Sequence, residues 1–386
     1  MELEELLKSK PLYYKEFDPK RIVEAYSVLK PHIKQPKRVQ LIGTNGKGST
    51  GRVIAYLAAR ASLNVGHYTS PHILNFKERF WHNGKFVTIK ELEVAHQKLF
   101  RILGRDISLS LSYFEYLTLL AFVAFENCDL QVIEAGLGGE FDATSVANYT
   151  LTVVTPIGFD HSNFLGDSLE DIAKTKLKAM ANKALIAKQN SESIYTIAQQ
   201  IAKEKGSTLY FYKDSVPEKN EQIAAIAKEK GWADYLVENI INATFALNIL
   251  TIDYNLEDLK GLELFGRFYK LMPHVTVDVG HNPLAATVIV KALKKKVRLI
   301  FNILDDKDLR KSLEILKPKI EAVEIIKIDT QRATDLKKIE LLLENMGLQY
   351  RYFNGKLDKN RDYLVFGSFY VVEAFLRESG ISEISA

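Results

Sequence analysis

Residues 41–50 read LIGTNGKGST, and this stretch decides how the rest of the chain is interpreted. An apolar run ends at Gly43, two further glycines flank Lys47, and two hydroxyl residues follow. The run predicts a buried strand, and the sequence from residue 51 onward (GRVIAYLAARA) has the apolar spacing of a helix. Glycines let backbone amides approach a phosphate, while a helix N-terminus and a lysine add positive charge. The stretch therefore predicts a phosphate-binding loop.

The loop is a variant of the general P-loop pattern. Leu41 stands where that pattern has its first glycine, and Gly48 stands where a hydroxyl residue normally follows the lysine. Ser49 or Thr50 can still reach a magnesium ion. The alternative is a glycine-rich turn that carries a surface lysine, and the two hydroxyls directly after Lys47 favour phosphate binding over it.

The bulk composition excludes several classes of protein. A chain of 386 residues exceeds one ordinary core and predicts two domains. The net charge is only +4 and the lysines are scattered, which argues against a nucleic-acid partner. Cys128 is the one cysteine, so a disulfide framework is excluded, and we expect its thiol to be buried. No apolar run approaches the roughly 20 residues of a membrane span, and the first residues do not resemble a signal peptide. We expect a cytoplasmic protein without a membrane partner.

Short β-branched runs alternate with amphipathic stretches along most of the chain. In the first part the predicted strands are 38–43, 130–136, 151–157 and 183–188, and the predicted helices are 48–62, 89–103, 114–127, 168–181 and 192–205. After a helix at 238–252, further strands are predicted at 274–280, 296–304, 322–329, 348–353 and 362–368. This alternation predicts an α/β fold, with a P-loop parallel-sheet ATPase domain at 1–262 followed by a smaller Rossmann-like α/β domain at 263–386.

The loop GTNGKGS has the form found in the Mur ligase superfamily, and other segments narrow the resemblance. They are YTSPHILNFKERF (68–80), SYFEY (112–116), EAGLGGEFDAT (134–144), DHSNFLGDSLEDIAKTK (160–176), GRF (266–268), DVGHNP (278–283), DDKD (305–308) and GSF (367–369). In order and approximate spacing they resemble folylpolyglutamate synthase/dihydrofolate synthase over about residues 38–370.

In that family ATP phosphorylates a carboxylate, and the amine of L-glutamate attacks the acyl phosphate to form an amide. The resemblance therefore implies a monomeric ligase that uses ATP and Mg²⁺ to join dihydropteroate or tetrahydrofolate to L-glutamate. It implies a catalytic set of Lys47, Lys176 and His281. Whether one or both synthase activities are present is left open by the sequence.

The magnesium ligands implied by the resemblance are Glu134, Ser70 and His161. Glu134 ends a predicted buried strand, where a lone carboxylate is costly without a cation. The alternative for Glu134 is a salt bridge to a lysine. His161 follows a strand and Asp160, and its alternative is a packed or capping histidine.

Lys176 lies where the family has a lysine that is carbamylated in many relatives. Its flanking residues Thr175, Leu177 and Lys178 depart from the family pattern. Because Lys174, Lys176 and Lys178 alternate along a predicted helix, the alternative is a solvated run of charge.

The nucleotide-binding set implied by the resemblance is Asn45, Gly46, Lys47, Gly48, Ser49, Thr50, Asn242, Arg267 and Asp278. Asn242 corresponds to an adenine contact, Arg267 to a phosphate contact and Asp278 to a ribose contact. The alternative for Arg267 is an ordinary surface arginine. Asn282 and Pro283 have the residue types of an N-cap and a first helical position, which would place His281 beside phosphate or the incoming glutamate.

The substrate-binding set implied by the resemblance is Ser112, Tyr113, Phe114, Glu115, Phe141, Asp142, Ala143 and Ser368. Aromatic rings and a carboxylate suit a flat heterocycle with an amino-pyrimidinone, while Ser368 and residues 306–308 resemble the glutamate side. The alternatives are that Tyr113, Phe114 and Tyr116 simply begin a core helix, and that Asp308 caps one.

Two other functions would share part of these features. A cell-wall Mur ligase with a UDP-muramoyl substrate would share the ATP residues, but it usually carries an N-terminal UDP-binding domain, and 37 residues precede the first predicted strand. A non-catalytic nucleotide switch would explain the loop but not the second set of Asp, His and Arg residues.

Overall fold

The computed structural model describes residues 1–11, 18–159 and 166–384 of the chain. Within these ranges the first part of the chain forms eight strands. They are β1 (Lys37–Ile42), β2 (Val65–Tyr68), β3 (Phe80–His82), β4 (Lys85–Phe86), β5 (Leu130–Glu134), β6 (Leu151–Val154), β7 (Lys183–Ile186) and β8 (Thr208–Phe211). The sheet order is β4-β3-β2-β5-β1-β6-β7-β8, and every pair from β2 to β8 is parallel. The prediction of a parallel P-loop sheet is confirmed.

Helices cover both faces of this sheet. They are α1 (Leu3–Ser9), α2 (Pro19–Leu29), α3 (Lys47–Arg60), α4 (Ile89–Ser110), α5 (Tyr113–Ala124), α6 (Leu169–Leu177), α7 (Glu192–Lys205), α8 (Pro217–Lys230) and α9 (Asp234–Ile249). Val39 and Leu41 of β1 face α3 and α9, whereas the neighbouring Ile42 faces α6 and α7. This alternation is the two-residue period of a strand that is buried on both sides.

The second part forms a smaller sheet. Its strands are β9 (Tyr269–Met272), β10 (Val275–Val277), β11 (Val297–Phe301), β12 (Ile320–Ile325), β13 (Tyr350–Tyr352) and β14 (Tyr363–Phe366), in the order β13-β12-β11-β14-β10-β9. Its helices are α10 (Pro283–Ala292), α11 (Leu309–Leu316), α12 (Leu336–Asn345) and α13 (Phe369–Glu378). Only β9 runs antiparallel to its neighbour, and apolar clusters lie on both faces, as in the predicted α/β unit.

The domain boundary at 262/263 stays a proposal, and the packing near it supports a division there. Leu264 lies in the apolar cluster of the first sheet, whereas Phe265 packs against a cluster of the second sheet. Ile73, from the connection between β2 and β3, crosses this division and is buried among residues of the second sheet.

Several elements were not predicted from the sequence. They are the strands β2, β3, β4, β8 and β9 and the helices α1, α2 and α8, whose patterns are too short or too polar. In β2, Gly66 leaves room for the ring of Phe125, because a Cβ at residue 66 would lie 2.2 Å from the Phe125 Cγ. The predicted helix 89–103 extends to Ser110, across Gly104 with a φ of 73°. Cys128 is buried, as expected.

No helix in the described ranges combines the length and apolar character that crossing a bilayer requires. The location of the protein stays a prediction.

Lys10 joins the N-terminal helix to the connection between α4 and α5. Its ammonium donates to the carbonyl oxygens of Ser108 at 2.5 Å and Leu111 at 2.8 Å, and it lies 4.7 Å from the centre of the Tyr116 ring. Burial lowers the pKa of Lys10 to about 8; Glu115 acts in the opposite direction.

This shifted pKa predicts a pH dependence of stability. Between about pH 8 and the ordinary value of 10.5, unfolded Lys10 keeps its proton while folded Lys10 releases it. The contribution of Lys10 to the free energy of unfolding should therefore rise with pH across this window. Urea unfolding at several pH values should show that rise in the wild type and lose it in Lys10→Met. Lys8→Met, at an exposed position of α1, is the matched control and should keep the wild-type slope.

Candidate active site

The phosphate-binding loop lies between β1 and α3, as predicted. Gly43 and Gly46 have positive φ values of 135° and 87°. A Cβ at residue 43 would lie 2.1 Å from the Thr155 hydroxyl oxygen, and one at residue 46 would lie 2.6 Å from the Asn239 side-chain oxygen. Both positions therefore require glycine, because the loop runs tightly between β6 and α9.

The first turn of α3 carries the predicted phosphate and metal contacts. The side chains of Ser49 and Thr50 are buried, and their hydroxyl oxygens have no hydrogen-bond partner among the described residues. The Lys47 ammonium folds back over the loop, donating to the carbonyl oxygens of Gly43 at 3.1 Å and Thr44 at 3.3 Å. Since buried polar groups normally have partners, the two hydroxyls indicate a site for a ligand or ion.

Glu134 places a carboxylate against this turn. It ends β5, is 5% exposed, and accepts hydrogen bonds from the Thr69 hydroxyl and, at 3.2 Å, from the Ser70 amide. A Cβ at Gly48 would lie 3.1 Å from Glu134 Oε2. Ion pairs of the described residues do not include Glu134, so the salt-bridge alternative is not supported.

The donors at this position fit a magnesium ion. A carboxylate oxygen and hydroxyl oxygens are the hard ligands that Mg²⁺ prefers, and a buried carboxylate is stabilised by a cation. Within the described ranges no cluster of three His, Cys, Asp or Glu side chains that could hold a metal ion is present, at Glu134 or at any other position. The predicted ligand His161 lies outside the described residues. Its role and that of Ser70 stay predictions.

Lys176 lies on the other side of the loop. It is 2% exposed, and its ammonium donates to the carbonyl oxygens of Gly43 at 3.1 Å and Leu137 at 2.5 Å. Lys174 and Lys178 are exposed, and Lys178 pairs with Glu140 at 2.8 Å. The interpretation of residue 176 as part of a solvated run is therefore wrong, because the side chain turns inward. Carbamylation of Lys176 stays a prediction.

The second domain adds an arginine to the loop. The Arg267 guanidinium lies 5.4 Å from the centre of the Phe369 ring, and its Nη2 is 3.3 Å from the position of a Cβ at Gly48. Arg267 is thus held between the domains beside Glu134, and the surface-arginine alternative is wrong.

Asp278 is buried directly after β10. Its carboxylate accepts hydrogen bonds from the Tyr235 hydroxyl at 2.8 Å and from the amides of Phe268 and Gly280, each at 2.7 Å. Burial raises the pKa of Asp278, and Arg267 opposes that effect. Because Tyr235 belongs to α9 of the first domain, this bond also joins the two domains.

Asn282 joins the second domain to the phosphate-binding loop. It caps α10 by accepting the Ala285 amide at 2.9 Å, as predicted from its position before Pro283. Its side-chain amide also pairs with that of Asn45, with distances of 3.0 and 2.9 Å. His281 precedes it and lies with Nδ1 3.1 Å from the Val279 carbonyl oxygen.

Two asparagines of α9 bear on the predicted nucleotide contacts. Asn242 is 2% exposed, and its side-chain oxygen has no partner among the described residues. Asn239 was missed from the sequence, although it contacts the loop at Gly46. The spacing of three residues between them, which places both on one helix face, was the signal that could have found it.

The other predicted residues of the second domain begin helices. Ser368 is buried and caps α13, where its hydroxyl accepts the Val371 amide at 3.2 Å. Asp308 caps α11 in the same way, with the Lys311 amide at 2.9 Å, so the capping alternative is confirmed for Asp308.

Predicted pterin contacts at the start of α5 divide into two groups. Ser112 and Glu115 form a capping box, and Glu115 also pairs with Arg21 at 3.2 Å. These contacts give both residues a structural role, and their contact with substrate stays a prediction. Tyr116 is fully buried beside His96, so the core-helix alternative is confirmed for Tyr116.

Tyr113 and Phe114 are only half-buried. The Phe114 ring stacks on Tyr68 with a centroid distance of 6.2 Å, and it lies 2.8 Å from the position of a Cβ at Gly136. These aromatic side chains form a wall next to the end of β5, the strand that carries Glu134.

An open groove lies between α2 and the connection after β5. Its volume is about 430 Å³, and Val23, Glu140, Phe141 and Asp142 are among its lining residues. Phe141 is 52% exposed, whereas Ala143 is buried. Asp142 accepts hydrogen bonds from the Gly138 amide at 2.9 Å and from Thr144, which hold the connection in place.

A change at Glu134 tests the proposed metal site. Glu134→Gln keeps an oxygen acceptor for Thr69 and Ser70 but removes the charge that attracts a divalent cation. In thermal unfolding, ATP should stabilise the wild type more with Mg²⁺ than without it, and the variant should lose this difference. Glu140→Gln, at a half-buried ion-pair residue nearby, should behave like the wild type. Equal Mg²⁺-dependent stabilisation in Glu134→Gln would exclude the carboxylate as a ligand.

Comparisons with known proteins identify the family of the chain. No family model matches the chain. The dihydrofolate synthase/folylpolyglutamate synthase of Escherichia coli is 31% identical over 356 residues, covering 83% of this chain and 78% of that protein. The crystal structure of Helicobacter pylori folylpolyglutamate synthetase is 40% identical, covers 98% of both chains and superposes with a TM-score of 0.78. That of E. coli FolC in complex with DHPP and ADP is 25% identical, covers 98% of both chains and gives a TM-score of 0.82. The chain belongs to the dihydrofolate synthase/folylpolyglutamate synthase family.

Proposed function

We propose that this protein is an ATP-dependent ligase that joins the carboxylate of a pteroate or folate to L-glutamate through an acyl phosphate. The observation that carries this proposal is the meeting of Glu134, the first turn of α3 and Arg267 at Gly48. A metal-binding carboxylate, a phosphate loop and an arginine from a second domain are the parts that phosphoryl transfer requires. The names of the relatives supply the substrate class.

In this arrangement the phosphates, the adenosine and the metal ion each have their own set of contacting residues. The loop amides, Lys47 and Arg267 face the phosphates, while Asn242 and Asp278 face the adenosine side. Glu134, Ser70, His161 and a hydroxyl of Ser49 or Thr50 would hold the Mg²⁺. When bound, the metal neutralises charge on the phosphate oxygens.

The acid substrate is proposed to lie along the aromatic wall and the groove. Tyr113, Phe114 and Phe141 offer ring faces to the pterin. Asp142 Oδ2 accepts only the Gly138 amide in the described contacts and therefore retains capacity for an N–H of the heterocycle. The carboxylate end of the substrate then points toward Gly136 and Glu134.

The amino-acid substrate is proposed to enter between the domains, near His281 and Ser368. Residues of both domains are already in contact there, through Arg267, Asn282 and Tyr235. Closing this cleft keeps water from the acyl phosphate, and positioning the amine replaces the need for a protein nucleophile. Lys176 and Lys47 lie beside the loop, and their positive charges stabilise the negative charge of the phosphates.

An ADP-release assay tests the reaction. The purified protein should release ADP with dihydropteroate or tetrahydrofolate only when L-glutamate is present, and mass spectrometry should show the added glutamyl residue. The two acids, tested separately, determine whether one or both activities exist. Rapid ADP release without glutamate, or turnover only with a UDP-muramoyl substrate and its amino acid, would contradict the proposal.

A change at Lys47 tests the phosphate loop. Lys47→Met removes the mobile charge and should lower kcat by about 100-fold, the order seen when a single transition-state charge contact is lost. Lys203→Met, at an exposed position of α7, is the matched control. An unchanged kcat in Lys47→Met would remove Lys47 from the catalytic set.

The monomeric state and the cytoplasmic location remain proposals. Light scattering on the purified protein, with and without nucleotide, measures the first directly.

A further inference from the structure

Arg79 is a buried cation without a carboxylate partner among the described residues. It is 8% exposed, and its Nε donates to His72 Nδ1 at 3.0 Å. Its guanidinium carbon lies 5.4 Å from the centre of the Tyr113 ring. The adjacent Glu78 does not neutralise it, because that carboxylate accepts the amides of residues 73, 74 and 75 at 2.6–2.9 Å.

The groups around Arg79 leave its charge unmatched. His72 Nδ1 accepts the hydrogen bond from Arg79 Nε at 3.0 Å, and an imidazole nitrogen that accepts carries no negative charge. A buried guanidinium needs acceptors for its N–H groups, and His72 Nδ1 serves only the Nε of Arg79.

Arg79 lies at the cleft where the substrates are proposed to meet. Tyr113 belongs to the aromatic wall, and the nearby Tyr370 at the start of α13 contributes to raising the pKa of Tyr113, after burial itself. The residue before Tyr370 is Phe369, whose ring lies under Arg267 beside the phosphate loop. Arg79 and Tyr370 both act on Tyr113, which places Arg79 near the start of α13, the helix whose Phe369 contacts Arg267.

We propose that Arg79, oriented by His72 and Tyr113, binds a substrate carboxylate in this cleft. The planar guanidinium matches a carboxylate in a bidentate geometry, and the hydrogen bond from its Nε to His72 fixes the plane of the group. This inference rests on the proposed function, which supplies two carboxylates: that of the pteroate or folate acid, and that of L-glutamate. The chemistry of recognition is the same for both.

Steady-state kinetics of Arg79→Gln and Arg79→Lys test the proposal. Loss of one charged contact should raise the KM of one carboxylate substrate by roughly 10- to 100-fold in Arg79→Gln. The KM of ATP should stay within about twofold, since the phosphates are held elsewhere. Arg79→Lys keeps the charge and should recover part of the loss.

Arg38 offers a matched control. It is 2% exposed, stacks 5.1 Å from the centre of the Phe122 ring and donates to Gln131 and Gln35, but it begins β1 at the end away from the loop. Arg38→Gln should lower the melting temperature without changing either KM. Binding of the pterin acid alone and of glutamate alone, followed by thermal shift, provides a readout independent of turnover.

The possible outcomes are distinct. A raised KM for the pterin acid assigns Arg79 to that carboxylate, and a raised KM for glutamate assigns it to the amino acid. If Arg79→Gln and Arg79→Lys both keep the wild-type KM for the two acids and differ only in melting temperature, like Arg38→Gln, the proposal is overturned. A wild-type protein that forms no glutamyl product would instead overturn the proposed function.

Discussion

The negatively charged carboxylate of Glu134 is almost completely buried, and the groups around it stabilise that charge. The carboxylate receives hydrogen bonds from Thr69 and Ser70, lies against the positive end of α3, and has Arg267 close by. Neutral donors and a partial helix charge offset only part of the desolvation of an ionised carboxylate. The same constraint explains Gly48, since a Cβ there would press on both the carboxylate and the guanidinium.

The strand order of the first sheet brings the other residues of the candidate site close to Glu134. The strands β2, β5, β1 and β6 are neighbours, and their carboxyl ends lead into Thr69, Glu134, the phosphate loop and Thr155. Thr69 and Glu134, 65 positions apart in the chain, thus meet at one edge, where parallel α/β sheets bind their ligands. The second domain completes that edge by contributing Arg267 and Asn282.

The sequence predicted features that depend on local pattern and missed those that depend on packing. The loop, the strand ending at Glu134 and the caps Asn282 and Asp308 follow from residues close together in the chain. The burial of Lys176 could not be predicted. Lysines at every second position give the same sequence pattern whether one of them is buried or all of them are exposed. Asn239 and Arg79 were missed for the same reason: their surroundings come from helices and strands that are distant in sequence.

Ile73 shows how far the two halves of the molecule depend on each other. Its side chain belongs to the chain segment before β3, yet it fills a recess formed by Val279 and other apolar residues of the second sheet. If the segment 263–386 were expressed separately, this apolar recess would be exposed to solvent and would favour aggregation. Engineering that treats the carboxyl-terminal half as an exchangeable module must therefore carry the 71–76 connection with it.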